Sequence, residues 1–469
     1  MITSKCHSFL LLSCFLVFLG ACKQNPLTEA TGIDQTISYP RVPDWAEKAV
    51  IYEVNMRQYT PEGTFRAFMH HLPRLKEMGV DILWLMPIHP ISIKNRKEGL
   101  GSYYSVADYK GINPEFGEMA DFDAMVAEVH RLGMHVIIDW VPNHTGWDHV
   151  WIAEHPDWYT QDSLGNIIDP INPETGESWG WTDVADLNYD NPDMRLEMIS
   201  DMLFWINKHA VDGFRCDASH SVPLDFWVQC RDSIYKHQPL FMLAESARPE
   251  ERNNGTFVMT YAWPFHHMMN EIAQGHRSIN AIDTLLAQSR EEFTQGYGMY
   301  FTSNHDENTW AGTEFERMGD AAKMMAVLSF TIDGMPLIYS GQEEPLLKRL
   351  RFFEKDTIPF GQFENEDFYQ RLIAMKHQMS PLRTLVVGNS IADHINQSAS
   401  VYAFERSADG EKIIVLLNGS AQAAEAVLDR SYEGVYDLFN STDPVRLEAG
   451  KAIPLEPWGY KIFTSKPIQ

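Results

Sequence analysis

The chain has little cysteine and little positive charge. It has five cysteines in 469 residues. Cys6, Cys14 and Cys22 fall in the first 22 positions, which leaves Cys216 and Cys230, and one remaining pair excludes a disulfide framework as the basis of the fold. That pair could be a single disulfide or two buried thiols. Lys and Arg number 38 against 64 Asp and Glu, a net charge of −26. Such an excess argues against nucleic acid and anionic membrane surfaces as partners, whereas a neutral polymer suffers no repulsion. The apolar run from Phe9 to Leu19 is too short to span a bilayer and has the length of a signal-peptide core.

The first 44 residues read as an address. Lys5 precedes the apolar run, and Leu19, Gly20, Ala21 and Cys22 follow it. This ending resembles a bacterial lipobox, in which Cys22 is acylated and becomes the first mature residue; ordinary secretion with cleavage near Ala21 is the competing reading. Residues 1–22 are thus expected to be a lipoprotein signal and 23–44 a polar tether. The expected location is the bacterial cell envelope, with a lipid anchor at Cys22, facing the periplasm or on the cell surface.

The rest has the apolar content of a globular protein, 44%. Its length is too great for one ordinary domain but suits a barrel with insertions plus a small second domain. Apolar strand-like runs recur at 50–55, 81–87, 134–141, 211–217, 239–245, 298–303 and 335–340, with a less clear one at 256–262. Amphipathic helical stretches lie between them at 65–79, 120–133, 192–210 and 321–332. Repeated βα units of this kind predict a parallel sheet covered on both faces, and eight of them close a (β/α)8 barrel. Residues 144–190, rich in Trp, Asp, Asn, Gly and Pro, read as a long excursion after the third strand. The catalytic barrel is expected over 45–388. Beyond it, over 389–469, short alternating runs predict an all-β sandwich domain.

Three of the strand-like runs end in a carboxylate. GFRCDA supplies Asp217, FMLAES supplies Glu245 and FTSNHD supplies Asp306. Breaking a glycosidic bond needs one carboxylate that stays ionised and another that holds a proton, so environment must split their pKa values. Arg215 lies two residues before Asp217, and on a strand both side chains point to one face. Its guanidinium is therefore expected to hold Asp217 ionised as the nucleophile. The 13 Trp and 18 Tyr could offer flat faces to sugar rings, although most aromatics in any chain are core.

The order of motifs resembles the α-amylase family of retaining glycoside hydrolases, from about Ala49 to the C-terminus. DWVPNH (139–144), VADLN (184–188), GFRCDA (213–218), Ala244 with Glu245, NHD (304–306) and GMPLIYSGQE (334–343) follow one another as in that family. The resemblance implies that Asp217 is the nucleophile, Glu245 the acid and base, and Asp306 the stabiliser of the distorted sugar. It implies substrate contacts from Tyr104, Asp139, His144, Arg215 and His305, with Asp139 also a candidate structural partner of Arg215 or a histidine.

No cofactor is required by this reading. Many family members carry a structural calcium ion, which would here fall on Asn143 and Asp186, but Ser221 stands where a histidine ligand is common. Ala218 after the nucleophile leans toward α-1,4 linkages. The expected substrate is an α-glucan such as a starch fragment or maltooligosaccharide. Two competing readings use the same three carboxylates: an α-glucanotransferase, and a glucosidase acting on α-1,6 or trehalose-type links. A glycan-binding lipoprotein without turnover is the remote one.

Overall fold

The computed structural model describes residues 42–172, 175–236, 239–384, 393–395 and 400–469. The expected signal segment, the lipobox with Cys22 and the tether as far as residue 41 lie outside the described residues. No helix among the described residues is long and apolar enough to cross a membrane.

Eight parallel strands close a barrel: β1 (Ile51–Val54), β2 (Ile82–Leu85), β3 (His135–Trp140), β4 (Gly213–Cys216), β5 (Phe241–Ala244), β6 (Met259–Tyr261), β7 (Tyr297–Tyr300) and β8 (Met335–Tyr339). Each pairs with its sequence neighbours, and β8 returns to β1 with Ile51 opposite Leu337. Alternation along the strands sorts the side chains. Ile51, Ile82, Trp84, Ile137, Phe241, Leu243, Met259, Tyr261, Met299 and Leu337 fill the interior. Tyr52, Val54, Leu83, Val136, Ile138, Phe214, Cys216 and Met242 join the outer core beneath the helices. Gly213 is the small inward residue of β4, because a Cβ there would collide with the backbone of Phe241. Cys216 and Cys230 are two buried free thiols in that outer core, with no disulfide between them.

The helical readings hold at Met119–Arg131, Pro192–His209 and Ala322–Thr331. The stretch over 65–79 is instead two helices, Phe65–Met69 and Leu72–Met78. Pro73 supplies the reason: it has no N–H for the preceding turn, and its ring is tolerated only in a first helical turn. The excursion after β3 carries a two-stranded hairpin, His144–Gly146 against Val184–Asp186.

The C-terminal part forms a six-stranded antiparallel sheet, and a separate two-stranded ribbon pairs Ala424–Val427 with Ala452–Leu455. One face of the sheet packs with the ribbon in a small core that includes Ile414, Leu416, Ala426 and Leu455. The other face, with Phe404, Ile413 and Val415, merges into the core around the barrel helices. Arg406, buried at that junction, donates to the Thr331 carbonyl at 2.8 Å and to Asp333 at 2.6 Å. Lys376, also buried, donates to the carbonyls of Gly334 and Leu382.

Candidate active site

The inward positions at the C-terminal ends of the strands are polar, and they converge. Arg215 on β4 is the hub. Its Nη1 donates to Asp139 Oδ1 at 2.9 Å and to Asp217 Oδ1 at 2.8 Å. Its Nη2 lies 2.7 Å from Glu245 Oε1 as an ion pair outside hydrogen-bonding alignment. Its Nε donates to the Tyr261 hydroxyl at 3.2 Å. One cation thus serves three carboxylates, and Trp84 packs against it with the guanidinium 5.1 Å from the ring centre.

The turn after β4 fixes the spacing of the two outer carboxylates. Asp217 N–H donates to the Trp140 carbonyl at 2.8 Å, and Ala218 takes a left-handed backbone at φ 41°. For a non-glycine residue that conformation is strained, and strain of this kind persists where the surroundings enforce it. Here the Ala218 N–H donates to Glu245 Oε2 at 2.8 Å.

A second chain of contacts leads to β1 and β7. His305 sits between Glu53, whose Oε1 is 2.5 Å from Nδ1, and the Tyr104 hydroxyl, 2.7 Å from Nε2. Tyr104 donates on to Asp139 Oδ2 at 3.1 Å, and Trp84 Nε1 donates to the same oxygen at 3.3 Å. Asp306 lies 3.3 Å from His305 Nε2 and is 36% exposed. A short π-helix, Glu307–Ala311, begins directly after it; such irregular turns are frequent at functional sites.

These contacts set the protonation states. Burial alone would lower the His305 imidazole, but Asp306 and Glu53 raise it to about 9, so it is a cation at neutral pH. Burial lowers His144 to about 4 and leaves it neutral. Burial raises Glu245 to about 7, against the pull of Arg215 and with help from the Asp217 and Asp306 charges. Burial also raises Asp217 to about 6, again against Arg215. Arg215 is expected from the sequence to hold Asp217 ionised, and the pairing is present at 2.8 Å. The guanidinium is divided among Asp139, Asp217 and Glu245, so burial outweighs it and raises both Asp217 and Glu245.

A cavity of about 900 Å³ opens above this floor. Asp217, Glu245, Asp306, Tyr104 and His144 line it, with Trp179, Trp181, Trp263, Trp310, Phe352 and Phe353 around them. The other expected substrate contacts are placed differently. Asp139 and Arg215 are 0% exposed and His305 is 1% exposed. They lie a layer beneath, covered by the carboxylates they hold and by Tyr104, whose ring stacks over His305 with centroids 5.6 Å apart. Their geometry makes them positioning residues. Glu53, Trp84 and Tyr261 complete this layer and were not foreseen from sequence. The one available signal was Glu53, a charge at an inward position of an otherwise apolar strand.

Asn143 and Asp186, the expected calcium ligands, belong to the excursion hairpin and its lead-in. The Asn143 amide nitrogen lies 3.2 Å from His144 Nδ1. Burial raises the Asp186 carboxyl to about 7, with a hydrogen bond from Thr160 opposing the shift. Asn143 and Asp186 offer one amide oxygen and one carboxyl, so calcium, which takes six to eight oxygens, would need the rest from backbone carbonyls and water.

Comparison with known proteins gives this architecture its place. A model described as "Alpha amylase, catalytic domain" matches residues 42–366, well over half of the chain. The chain belongs to the α-amylase family. A second model, "Maltogenic Amylase, C-terminal domain", matches residues 394–462. The α-amylase MalA of Haloarcula japonica is 25% identical over 426 residues, covering 87% of this chain and 60% of that protein. A probable oligo-1,6-glucosidase 2 of Bacillus subtilis is 25% identical over 374 residues, covering 64% of this chain and 65% of its own length. This α-amylase-family chain therefore spans less than two thirds of those curated relatives. Among solved structures, the noncanonic maltogenic α-amylase AmyB of Thermotoga neapolitana superposes with a TM-score of 0.79 at 28% identity, covering 91% of this chain and 100% of that one. An α-amylase from Lactobacillus plantarum does so with a TM-score of 0.79 at 29% identity, covering 90% and 99%.

Proposed function

We propose that this chain is a retaining glycoside hydrolase that cleaves α-1,4 bonds in starch fragments or maltooligosaccharides. The observation that carries the reading is the single Arg215 guanidinium touching both Asp217 and Glu245 at the floor of an aromatic cleft. One guanidinium in contact with both carboxyls brings a nucleophile and an acid to the same floor of the cleft, as a retaining mechanism needs.

In the first step Asp217 attacks the anomeric carbon and forms a covalent glycosyl ester. The bond to the leaving oxygen breaks, and that oxygen takes the proton from Glu245. In the second step Glu245 removes a proton from water, the hydroxyl adds to the anomeric carbon, and Asp217 leaves as a carboxylate. Asp306, the most exposed of the three, faces the sugar hydroxyls, and Tyr104 and His144 bound the same sugar. Trp181 and Trp310 line the same cleft and offer it flat faces.

Product analysis on maltoheptaose tests the reading. Shorter oligosaccharides and glucose are expected. Longer products indicate a glucanotransferase, and no products, with turnover of α-1,6-linked or trehalose-type substrates, indicate that class of glucosidase. Starch binding without any turnover would leave the glycan-binding lipoprotein.

The pH profile follows from the two carboxyls. Below about 6 the nucleophile gains a proton, and above about 7 the acid loses its own. A narrow bell in kcat/KM is expected, with its maximum between those values and its limbs belonging to the pair jointly. A rate that keeps climbing into alkaline pH would contradict this assignment.

Two further proposals concern the whole protein. The Leu19, Gly20, Ala21, Cys22 sequence supports lipid anchoring in a bacterial envelope; Cys22→Ser is expected to move the protein from the detergent-rich to the aqueous phase on detergent partition, and unchanged partition would refute the anchor. A calcium site at Asn143 and Asp186 would draw most of its oxygens from backbone and water, so any such ion is expected to be held weakly and to contribute little to stability. Excess EDTA is expected to leave the thermal midpoint unchanged, and a clear fall would overturn that.

A further inference from the structure

Away from the cleft, at the opposite end of the barrel, three metal-competent side chains meet. His130 is in the last turn of the helix Met119–Arg131, His135 opens β3, and Asp212 directly precedes β4. Their ligand atoms all lie within 4.8 Å of one another, the one such group of His, Cys, Asp and Glu among the described residues. Asp212 Oδ2 accepts from the Val136 N–H at 2.8 Å and lies 2.8 Å from His130 Nε2. Asp212 Oδ1 lies 3.4 Å from His135 Nδ1.

The His135 ring is the informative one. Its Nδ1 is buried and makes no hydrogen bond, although it faces the carboxylate. The indole of Trp45 lies flat against the ring, with centroids 3.8 Å apart and planes 13° apart, and holds it in that orientation. A nitrogen fixed in place, cut off from water and aimed past hydrogen-bonding alignment at a carboxylate is costly as a structural contact. It suits a ligand that needs the lone pair. Tetrahedral coordination with metal–ligand bonds of 2.0–2.2 Å places neighbouring donors about 3.3–3.6 Å apart. With one atom from each residue, the three donors here lie within 4.8 Å of one another, close enough for small side-chain shifts to bring them onto one ion.

We propose that His130, His135 and Asp212 form a divalent transition-metal site of the zinc class, with a fourth position open to water. Two imidazoles and one carboxylate favour zinc, cobalt, nickel or copper over calcium or magnesium. The open position follows from the partial exposure of the whole cluster, 33% at His130, 23% at His135 and 20% at Asp212. The Val136 N–H bonded to Asp212 is the outer contact that orients the carboxylate. Bound there, an ion ties the end of one helix to the starts of two adjacent barrel strands. It acts on stability and stays away from the chemistry at the other end.

The test uses the untagged full chain, stripped with chelator, dialysed and titrated with Co2+ alone. One equivalent is expected to bind with the visible absorption of tetrahedral cobalt, and Zn2+ is expected to displace it and raise the thermal midpoint. His130→Gln, on a solvent-facing turn, is expected to weaken binding at least about 100-fold, the upper end of what loss of an outer partner costs, with circular dichroism unchanged. Asp212→Asn is expected to do the same and serves as a second variant. Failure of the wild type to take up cobalt stoichiometrically overturns the proposal, as does unchanged uptake by folded His130→Gln.

Discussion

Asp217→Asn is expected to lower kcat on maltoheptaose by roughly 10⁴-fold or more, the scale on which loss of a nucleophile acting as part of a unit is felt. The substitution keeps the shape of the side chain and leaves an oxygen that can still accept from Arg215 Nη1, so KM should move little. It removes the attacking anion, and no other carboxylate can replace it: Glu245 is tied to the Ala218 N–H and Asp306 belongs to the end of another strand. Stability should hold or rise, because burial already raises Asp217 to about 6 and an uncharged group there spares that cost. Initial rates and thermal melts on wild type and variant check both halves. A variant that keeps several per cent of wild-type kcat would place the nucleophile elsewhere.

Arg215→Met is expected to be damaging in a different way. The guanidinium is 0% exposed and is the shared partner of Asp139, Asp217 and Glu245. Removing one partner of a buried ion pair typically costs about 3–5 kcal/mol, because the remaining charge is left uncompensated. Here three carboxylates lose their cation, so all three pKa values rise further. The sign of the pH dependence follows. An acid whose folded pKa lies above its unfolded value contributes stability that is present below the unfolded pKa and is lost as pH rises through the folded one. The variant should therefore be closest to wild type near pH 4, the ordinary carboxylate range, and worst above neutral pH. Activity at neutral pH should fall at least about 10³-fold, since a protonated Asp217 cannot attack. Melting curves across pH separate this account from simple loss of packing, which would destabilise equally at every pH.

Much of this architecture can be read in the chain because a parallel barrel buries its strands on both faces. Runs such as ILWL and FMLA are apolar throughout and stand out between amphipathic helices. β6 is three residues long, and so short a run, Met259–Tyr261, carries little signal. The break at Pro73 was legible in principle, since a proline in a helical pattern ends or restarts the helix. The carboxylates at strand ends were legible because charge directly after an apolar run is unusual and each reaches a common rim.

The supporting layer was harder to see. Trp84 and Tyr261 look like core aromatics in sequence, and both are core; only the closure of the sheet brings them against Arg215. Glu53 and His305 are 252 positions apart and meet because β7 lies one strand from β1 around the barrel. The sharing of Arg215 was hidden for the same reason. Local spacing pairs Arg215 with Asp217, whereas Asp139 and Glu245 reach it from β3 and the end of β5, on either side of β4. That sharing spreads one cation over three buried carboxylates instead of pairing it with one.

If Asp217 and Glu245 act as a retaining pair, proton NMR of the first products from maltoheptaose shows it in the anomer released. With enough enzyme to outrun mutarotation, the account predicts that new reducing ends appear as the α-anomer and only later equilibrate. First appearance of the β-anomer would contradict it, because inversion requires a direct attack by water and leaves no role for Asp217 as a covalent nucleophile.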